Sequence, residues 1–256
     1  MRVCSYFLNR HIRQDYMRTS ALYCSLLMGL SFSTLAAEVQ TTQVFYSNGQ
    51  LEYIGSVDSD ANQRLFALYE KLAKKPTTLS IRSLGGDVNP GMELGAWVHA
   101  HKLNIKVMEF CFSSCANYVF PAAVKKTVSN FAMVGYHGGP GGPLNIELDD
   151  ALTATERKAL LDDIEKQRVQ SGRREAAFYK TIGVRTDLST LGQGDQYKPY
   201  YDKNQDALGW TYSLDDFTRL GVRDIKVINP PWKPGTASGQ TPVVTIPIDV
   251  KPAPAS

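Results

Sequence analysis

Residues 109–123, EFCFSSCANYVFPAA, place Ser113 and Ser114 between Cys111 and Cys115 at the start of an apolar run. The segment NIKVMEF just before it is strand-like, so the chain reads here as a strand that turns into a short helix. A serine at a helix start can cap the helix. It can also act as a nucleophile, because the helix dipole favours negative charge at this point. The stretch alone leaves both interpretations open.

The segments around this stretch alternate between strand and helix patterns. Upstream lie LEYIGSV (51–57), a helix, TTLSIRS (77–83) and a second helix opened by Pro90, and downstream KTVSNFAMVGYHG (126–138) is mostly strand. This alternation favours right-handed crossovers around a largely parallel sheet. The sequence therefore predicts an α/β domain over residues 38–228.

The rest of the chain reads as three further parts. Residues 152–183 form a long charged helix, which we interpret as an arm with a solvated face. Residues 209–227, GWTYSLDDFTRLGVRDIKV, predict a strand, a short helix capped by Ser213 and a final strand. Residues 229–256 are rich in Pro, Ser and Thr, and we expect a partly disordered extension there.

The N-terminal residues match a secretory signal peptide. Residues 17–37, MRTSALYCSLLMGLSFSTLAA, contain a basic residue, an apolar run of about fifteen residues and small residues before Glu38. We predict a signal peptide over residues 1–37, with Met17 as an alternative start, and a periplasmic or secreted protein. The alternative of an uncleaved membrane anchor is less favoured, because a span needs about 20 apolar residues.

Charge and cysteine content exclude two classes of function. Four arginines and Asp15 give the predicted signal peptide a charge of +3, which equals the formal net charge of the whole chain. The remainder is therefore near neutral and lacks the basic surface that nucleic-acid binding requires. Export would leave Cys111 and Cys115 as a close pair in an oxidising compartment, where they can form a disulfide. The C-x3-C spacing has no second ligand pair, and His99 and His101 point to different sides of a helix, so no metal site is expected.

Two more features can contribute to a catalytic site. In SLGGD (83–87), paired glycines between a strand and a helix let backbone N–H groups turn outward, although a plain tight turn is the alternative. His137 ends the next strand after Ser113, and the ends of parallel strands that share a direction lie side by side. Together these supply a donor loop, a nucleophile and a base.

With this order of motifs, the chain resembles the proteolytic subunit of the Clp protease and, more closely, exported Clp-like proteins of the crotonase fold. The similarity runs from LEYIGSV to HGGPGG and resumes at GWTYSLDDFTRLGVRD, about half the chain. It implies repeated β-β-α units around the sheet. It also implies that Ser113 is the nucleophile, His137 the general base, and the N–H groups of Gly86 and Ser114 the oxyanion donors.

The sequence departs from the family pattern at two places, just before the glycine pair and on either side of Ser113. Leu84 stands where a proline is expected, and Phe112 and Ser114 replace small residues around Ser113. A Cys111–Cys115 disulfide would staple the turn that presents the serine.

The third member of the triad is the least defined. The family's acid aligns near Leu208 or Gly209, and Asp206 is the nearest carboxylate, with Asp195 and Asp187 further off. We take Asp206 as the candidate acid, with an unassisted Ser–His dyad as the alternative.

These features predict an exported serine peptidase that cleaves peptides or unfolded segments through a Ser113 acyl-enzyme, with no cofactor. No GxxxxGK[ST] motif occurs, so neither ATP hydrolysis nor an ATPase partner is expected. The resemblance implies assembly into rings or trimers, although the charged helix identifies no interface. Three alternatives stay open: a Ser–Lys dyad with Lys166 or Lys125, a binding module with a dead site, and acyl-CoA chemistry.

Overall fold

A computed structural model describes residues 41–143, 148–149, 151–235 and 243–250. The predicted signal peptide lies outside these residues. The strands are β1 Gln43–Ser47, β2 Gln50–Ile54, β3 Thr78–Arg82, β4 Asn104–Val107, β5 Phe110–Phe112, β6 Lys126–Ser129, β7 Met133–Gly135, β8 Trp210–Thr211, β9 Ile225–Ile228 and β10 Val244–Thr245. The α-helices are α1 Ser59–Lys71, α2 Val88–Ala100, α3 Phe120–Ala122, α4 Ala154–Ile182, α5 Lys198–Asp202 and α6 Leu214–Arg219.

A six-stranded sheet forms the first layer, in the order β1-β2-β3-β4-β6-β9. Only the β1–β2 hairpin is antiparallel, and every other neighbouring pair runs parallel. The helices α1 and α2 connect successive parallel strands, as crossover units require. The predicted α/β class with a largely parallel sheet is confirmed.

Local sequence signals explain where the helices begin and end. The Asp58 side chain accepts a hydrogen bond from the Ala61 N–H at the start of α1, and Leu65 and Tyr69 are buried on the inner face of that helix. Helix α4 begins with a capping box between Thr153 and Glu156. Its buried residues all lie in the last two turns, so most of α4 is a solvated arm, as its charge predicts.

A second layer is built from two short parallel pairs, β5–β7 and β8–β10. An isolated parallel bridge joins Ser83 to Cys111, and an antiparallel bridge joins Tyr136 to Trp210. Cys111 in turn pairs with Val134, so the ends of β3, β5 and β7 are level with one another. This register places the residues that follow β3, β5 and β7 at one edge, where SLGGD, Ser113 and His137 are found.

The segment KTVSNFAMVGYHG differs from the prediction of one mostly continuous strand. It forms β6 in the first layer and β7 in the second, and a turn between them is closed by the Ala132 N–H donating to the Ser129 carbonyl at 3.2 Å. The turn transfers the chain from one layer to the other.

The described part of the predicted C-terminal extension, residues 243–250, packs into the domain. Strand β10 pairs with β8, and Val244, Ile246 and Ile248 are all buried. These apolar residues alternate with period two, a strand pattern within the Pro-rich composition. Among the described residues, no helix is long and apolar enough to span a membrane.

Candidate active site

Ser113 lies in a turn that the backbone holds tightly. Its φ of +55° is left-handed, a conformation that costs a non-glycine residue about 1–2 kcal/mol. Its N–H donates to the Gly135 carbonyl at 2.9 Å, and its own carbonyl accepts from the Asn117 N–H at 2.7 Å. The turn joins β5 to a π-helical turn, Cys115–Val119, that runs into α3. A strained, over-determined residue of this kind is typical of a functional position.

The two cysteines bracket this turn as the sequence predicts. Their sulfur atoms lie 1.98 Å apart, at disulfide distance, and both residues are fully buried. A cross-link from Cys111 in β5 to Cys115 at the start of the π-helical turn restrains the short loop that carries Ser113.

The glycine pair of SLGGD packs directly against the serine turn. A Cβ on Gly85 would lie 2.6 Å from the Ser113 Cβ and 2.9 Å from the Ser114 backbone nitrogen. Gly85 also has a φ of +96°, which L side chains rarely adopt. Only glycine allows the loop to approach the nucleophile this closely.

The orientation of the Gly86 peptide groups follows from its neighbours. The Val57 N–H donates to the Gly85 carbonyl at 2.8 Å, and the Asp87 N–H donates to the Val57 carbonyl at 3.0 Å. In an extended chain successive residues point their hydrogen-bonding groups to opposite sides, so the N–H and C=O of Gly86 point away from Val57. The Gly86 carbonyl accepts from Ser114 Oγ at 2.8 Å, on the side of the helix start.

Two backbone donors therefore border Ser113. In the part of the chain that the structure describes, the N–H groups of Gly86 and Ser114 donate to no protein acceptor. The N–H groups of Gly85 and Ser113 are occupied, by Ser83 Oγ and the Gly135 carbonyl. Unoccupied backbone donors beside a nucleophile can stabilise an oxyanion.

His137 reaches the nucleophile from the end of β7. Its Nε2 lies 2.7 Å from Ser113 Oγ, a hydrogen bond in which the hydroxyl donates when the imidazole is neutral. Burial lowers the pKa of His137 below its ordinary value of 6.5, and a hydrogen bond to its own backbone partly offsets this. The imidazole is therefore neutral at pH 7 and able to accept the serine proton.

The predicted acid, Asp206, forms no hydrogen bond with His137. The antiparallel bridge of Tyr136 with Trp210 sets Gly209, one of the two positions where the sequence comparison expected the acid, across from His137. A Cβ at Gly209 would lie 2.0 Å from the Tyr136 carbonyl oxygen, which leaves no room for a side chain there. Asp206 itself lies in an exposed turn.

The other two carboxylates considered from the sequence have cationic partners. Asp187 pairs with Arg185 and Asp195 with Lys198. Among the described hydrogen bonds, none joins a carboxylate to the imidazole of His137. Among the described residues, the structure brings Ser113 and His137 together without a third charged member.

Glu175 is a site residue that the sequence did not reveal. Its buried carboxylate accepts from Tyr118 Oη at 2.9 Å and Ser189 Oγ at 3.0 Å, and also from the N–H of Gly141. Burial raises the pKa of Glu175, and these hydrogen bonds act in the opposite direction. The sequence signal that could have found it is its position beside Phe178 and Tyr179, in an apolar portion of a mostly charged helix.

Further polar side chains hold the loop after His137. The Asn117 amide donates from Nδ2 to the Gly138 carbonyl at 2.9 Å. The Gln193 side chain packs so closely that a Cβ on Gly138 or Gly142 would overlap it. The glycines of HGGPGG thus allow the loop to pack closely against the polar side chains of Asn117 and Gln193.

Within the described residues no group of three or more His, Cys, Asp or Glu could hold a metal ion. No protein-family model matches the chain, and a search of curated proteins finds no similar sequence. The class that the fold and site define is therefore an α/β domain with a serine–histidine pair at the ends of parallel strands.

Proposed function

We propose that this protein is a serine hydrolase of the Clp-like, crotonase-fold type that cleaves peptide bonds through an acyl-enzyme on Ser113. The observation that carries the proposal is the 2.7 Å contact between His137 Nε2 and Ser113 Oγ, at a turn bordered by two free backbone donors. Nucleophile, base and oxyanion donors are the parts that acyl transfer requires.

The chemistry needs only groups of this chain and water. As Ser113 Oγ attacks the substrate carbonyl carbon, its proton passes to His137 Nε2, and the N–H groups of Gly86 and Ser114 donate to the oxyanion. The imidazolium then gives its proton to the departing amine as the C–N bond breaks. Water, deprotonated by His137, attacks the acyl-enzyme and releases the acid and free Ser113.

The site is best described as a dyad. A carboxylate partner would raise the histidine pKa, whereas burial here lowers it. A base of this kind stays neutral in mildly acidic solution and gains less stabilisation when it is protonated in the transition state. We expect slower catalysis than in a full triad.

Peptides or unfolded segments are the proposed substrates. Ser113, Gly86 and His137 are each partly exposed, at an open edge that an extended chain can reach. Such a chain can pair with backbone groups beside the SLGGD loop. Export through a signal peptide, an ATP-independent mode of action and homo-oligomer formation remain parts of the proposal that rest on the sequence.

The lysine alternative has less support than the histidine. Lys125 and Lys166 are exposed, and neither forms a hydrogen bond with Ser113 among the described contacts. A lysine base must be largely buried to lose its proton near neutral pH.

Covalent labelling with a fluorophosphonate tests the proposal. The protein is expressed from the full-length chain, and the wild type is compared with Ser113→Ala and His137→Ala, each checked for folding by circular dichroism. Ser59→Ala, an exposed serine at the start of α1, is the matched control. We expect labelling to vanish with Ser113→Ala, to fall at least about a hundredfold with His137→Ala, and to persist in Ser59→Ala. A folded wild type that does not label contradicts the hydrolase and favours a binding module.

A further inference from the structure

Phe112, the bulky residue before the nucleophile, stacks on the general base. The rings of Phe112 and His137 have centroids 5.2 Å apart and planes inclined by only 23°. Phe112 is 7% exposed, so its ring is fixed inside the protein beside a partly exposed imidazole. The phenyl ring therefore covers one face of the imidazole whose edge reaches Ser113.

Two glycines form the slot that holds this ring. Phe112 pairs with Gly135 across β5 and β7, and a Cβ on Gly135 would lie 2.5 Å from Phe112 Cδ2. On the other side, a Cβ on Gly209 would lie 3.2 Å from Phe112 Cζ. A side chain at either position would displace the ring, so the space that Phe112 fills exists because both neighbours are glycines.

A catalytic histidine needs a third group that fixes its ring orientation. In a triad a carboxylate does this through a hydrogen bond to Nδ1. Here Gly209 lies across from His137 and leaves no room for a carboxylate side chain, whereas the planar face of Phe112 lies against the imidazole. Stacking restricts rotation of the imidazole about its Cβ–Cγ bond, because a turned ring would lose the parallel contact.

We propose that Phe112 is a positioning residue for His137, and that it takes the orienting role that no carboxylate among the described residues fills. The inference rests on the proposed function for its catalytic meaning. Phe112 does not touch substrate; it acts through the histidine. The phenyl face also excludes water from one side of the imidazole, in keeping with the lowered pKa of His137.

A phenyl ring and a carboxylate orient a histidine with different consequences. The carboxylate stabilises the imidazolium and raises its pKa, while the phenyl ring carries no charge and favours the neutral base. A base oriented by stacking should work at lower pH, and removal of the ring should raise the histidine pKa as water enters.

The test replaces Phe112 in the full chain by Leu, which keeps apolar bulk but lacks a flat face, and by Ala. Phe131→Leu is the control, since Phe131 is partly exposed in the turn between β6 and β7. We expect Phe112→Leu to lower kcat or the labelling rate roughly 10- to 100-fold, with KM changed less than about threefold. The acid limb of the pH–rate profile should move up toward 6.5.

A titration that needs no activity keeps the two proposals separable. His137 is followed by NMR in the Ser113→Ala background, with and without Phe112→Leu. In the parent the ring current of Phe112 should shift the His137 ring protons upfield, and Phe112→Leu should abolish this shift and raise the pKa. An unshifted parent resonance overturns the inference even if Phe112 variants do not fold. Equal kinetic losses in Phe112→Leu and Phe131→Leu, with an unmoved acid limb, overturn it as well.

Discussion

The two halves of the dyad are supported in different ways. Ser113 is held by backbone contacts, among them the hydrogen bond from its N–H to the Gly135 carbonyl, and by the cysteine pair that spans residues 111–115. His137 is followed by a loop without regular structure, which Asn117, Glu175 and Gln193 fix with their side chains. The position of Ser113 thus depends on backbone geometry, and the loop after His137 depends on side chains from distant segments. Substitutions at those side chains should therefore disturb the loop after His137 before they disturb Ser113.

The largest effect on the rate is expected from a substitution in the SLGGD loop, which packs against the Ser113 turn. In Gly86→Ala the new Cβ would lie 2.1 Å from the Val57 carbonyl oxygen, so the loop must move and the donor N–H with it. Loss of one oxyanion donor costs about 10²–10³ in kcat. Stopped-flow labelling or peptidase kinetics measure this. Gly172→Ala on α4, where the nearest atom is 3.6 Å away, should change the rate less than about twofold.

The next effect concerns the base side. Glu175→Ala leaves the hydroxyls of Tyr118 and Ser189 and the Gly141 N–H without their acceptor, so the free energy of unfolding should fall by about 3 kcal/mol. The loop after His137 should loosen, and kcat should fall in the fraction that stays folded. Urea denaturation and kinetics measure the two effects. Asp162→Ala, which removes only an exposed ion pair with Lys158, should cost less than about 0.5 kcal/mol.

A smaller effect is expected on the nucleophile side. The Cys111→Ala/Cys115→Ala double variant removes the cross-link of a five-residue loop, worth about 2 kcal/mol of unfolding free energy in the chain-entropy model. The Ser113 labelling rate should fall, while the NMR signals of Gly138 to Gly142 stay in place. If those glycine signals shift as much as they do in Glu175→Ala, the two halves are not supported separately. Two free thiols in non-reducing mass spectrometry would disprove the cross-link itself.

The smallest change is a displacement of the pH profile. Because burial lowers the pKa of His137, the neutral, active form persists below pH 6.5, and protonation removes activity only as the pH falls through the lowered value. The acid limb of kcat/KM should therefore have its midpoint below 6.5. A midpoint above 6.5 would indicate a carboxylate near the imidazole and would argue against the dyad.

The sequence predicts that Ser113 and His137 lie close together, but it does not reveal what holds the loop after His137. Strand, turn and helix signals around Ser113 are local, and parallel strand ends bring His137 beside it. The contacts that hold the histidine loop come from Glu175 and Gln193, tens of residues away, and no local pattern reveals such packing. The same holds for Phe112, whose departure from small flanking residues is visible in sequence but whose stacking partner is not.

The alternating apolar residues Val244, Ile246 and Ile248 are visible in the sequence, but the surrounding prolines favour an irregular extension. Strand β10 also bears on the order in which contacts form as the chain is synthesised. It pairs with β8, which is bridged to Tyr136, and the Val243 side chain reaches Gly135 in β7. Those contacts join residues that are between about 30 and about 110 positions apart in the chain, so they have a high contact order and form late. The packing around Gly135, whose carbonyl accepts from the Ser113 N–H, is therefore completed only after residues 243–250 have left the ribosome.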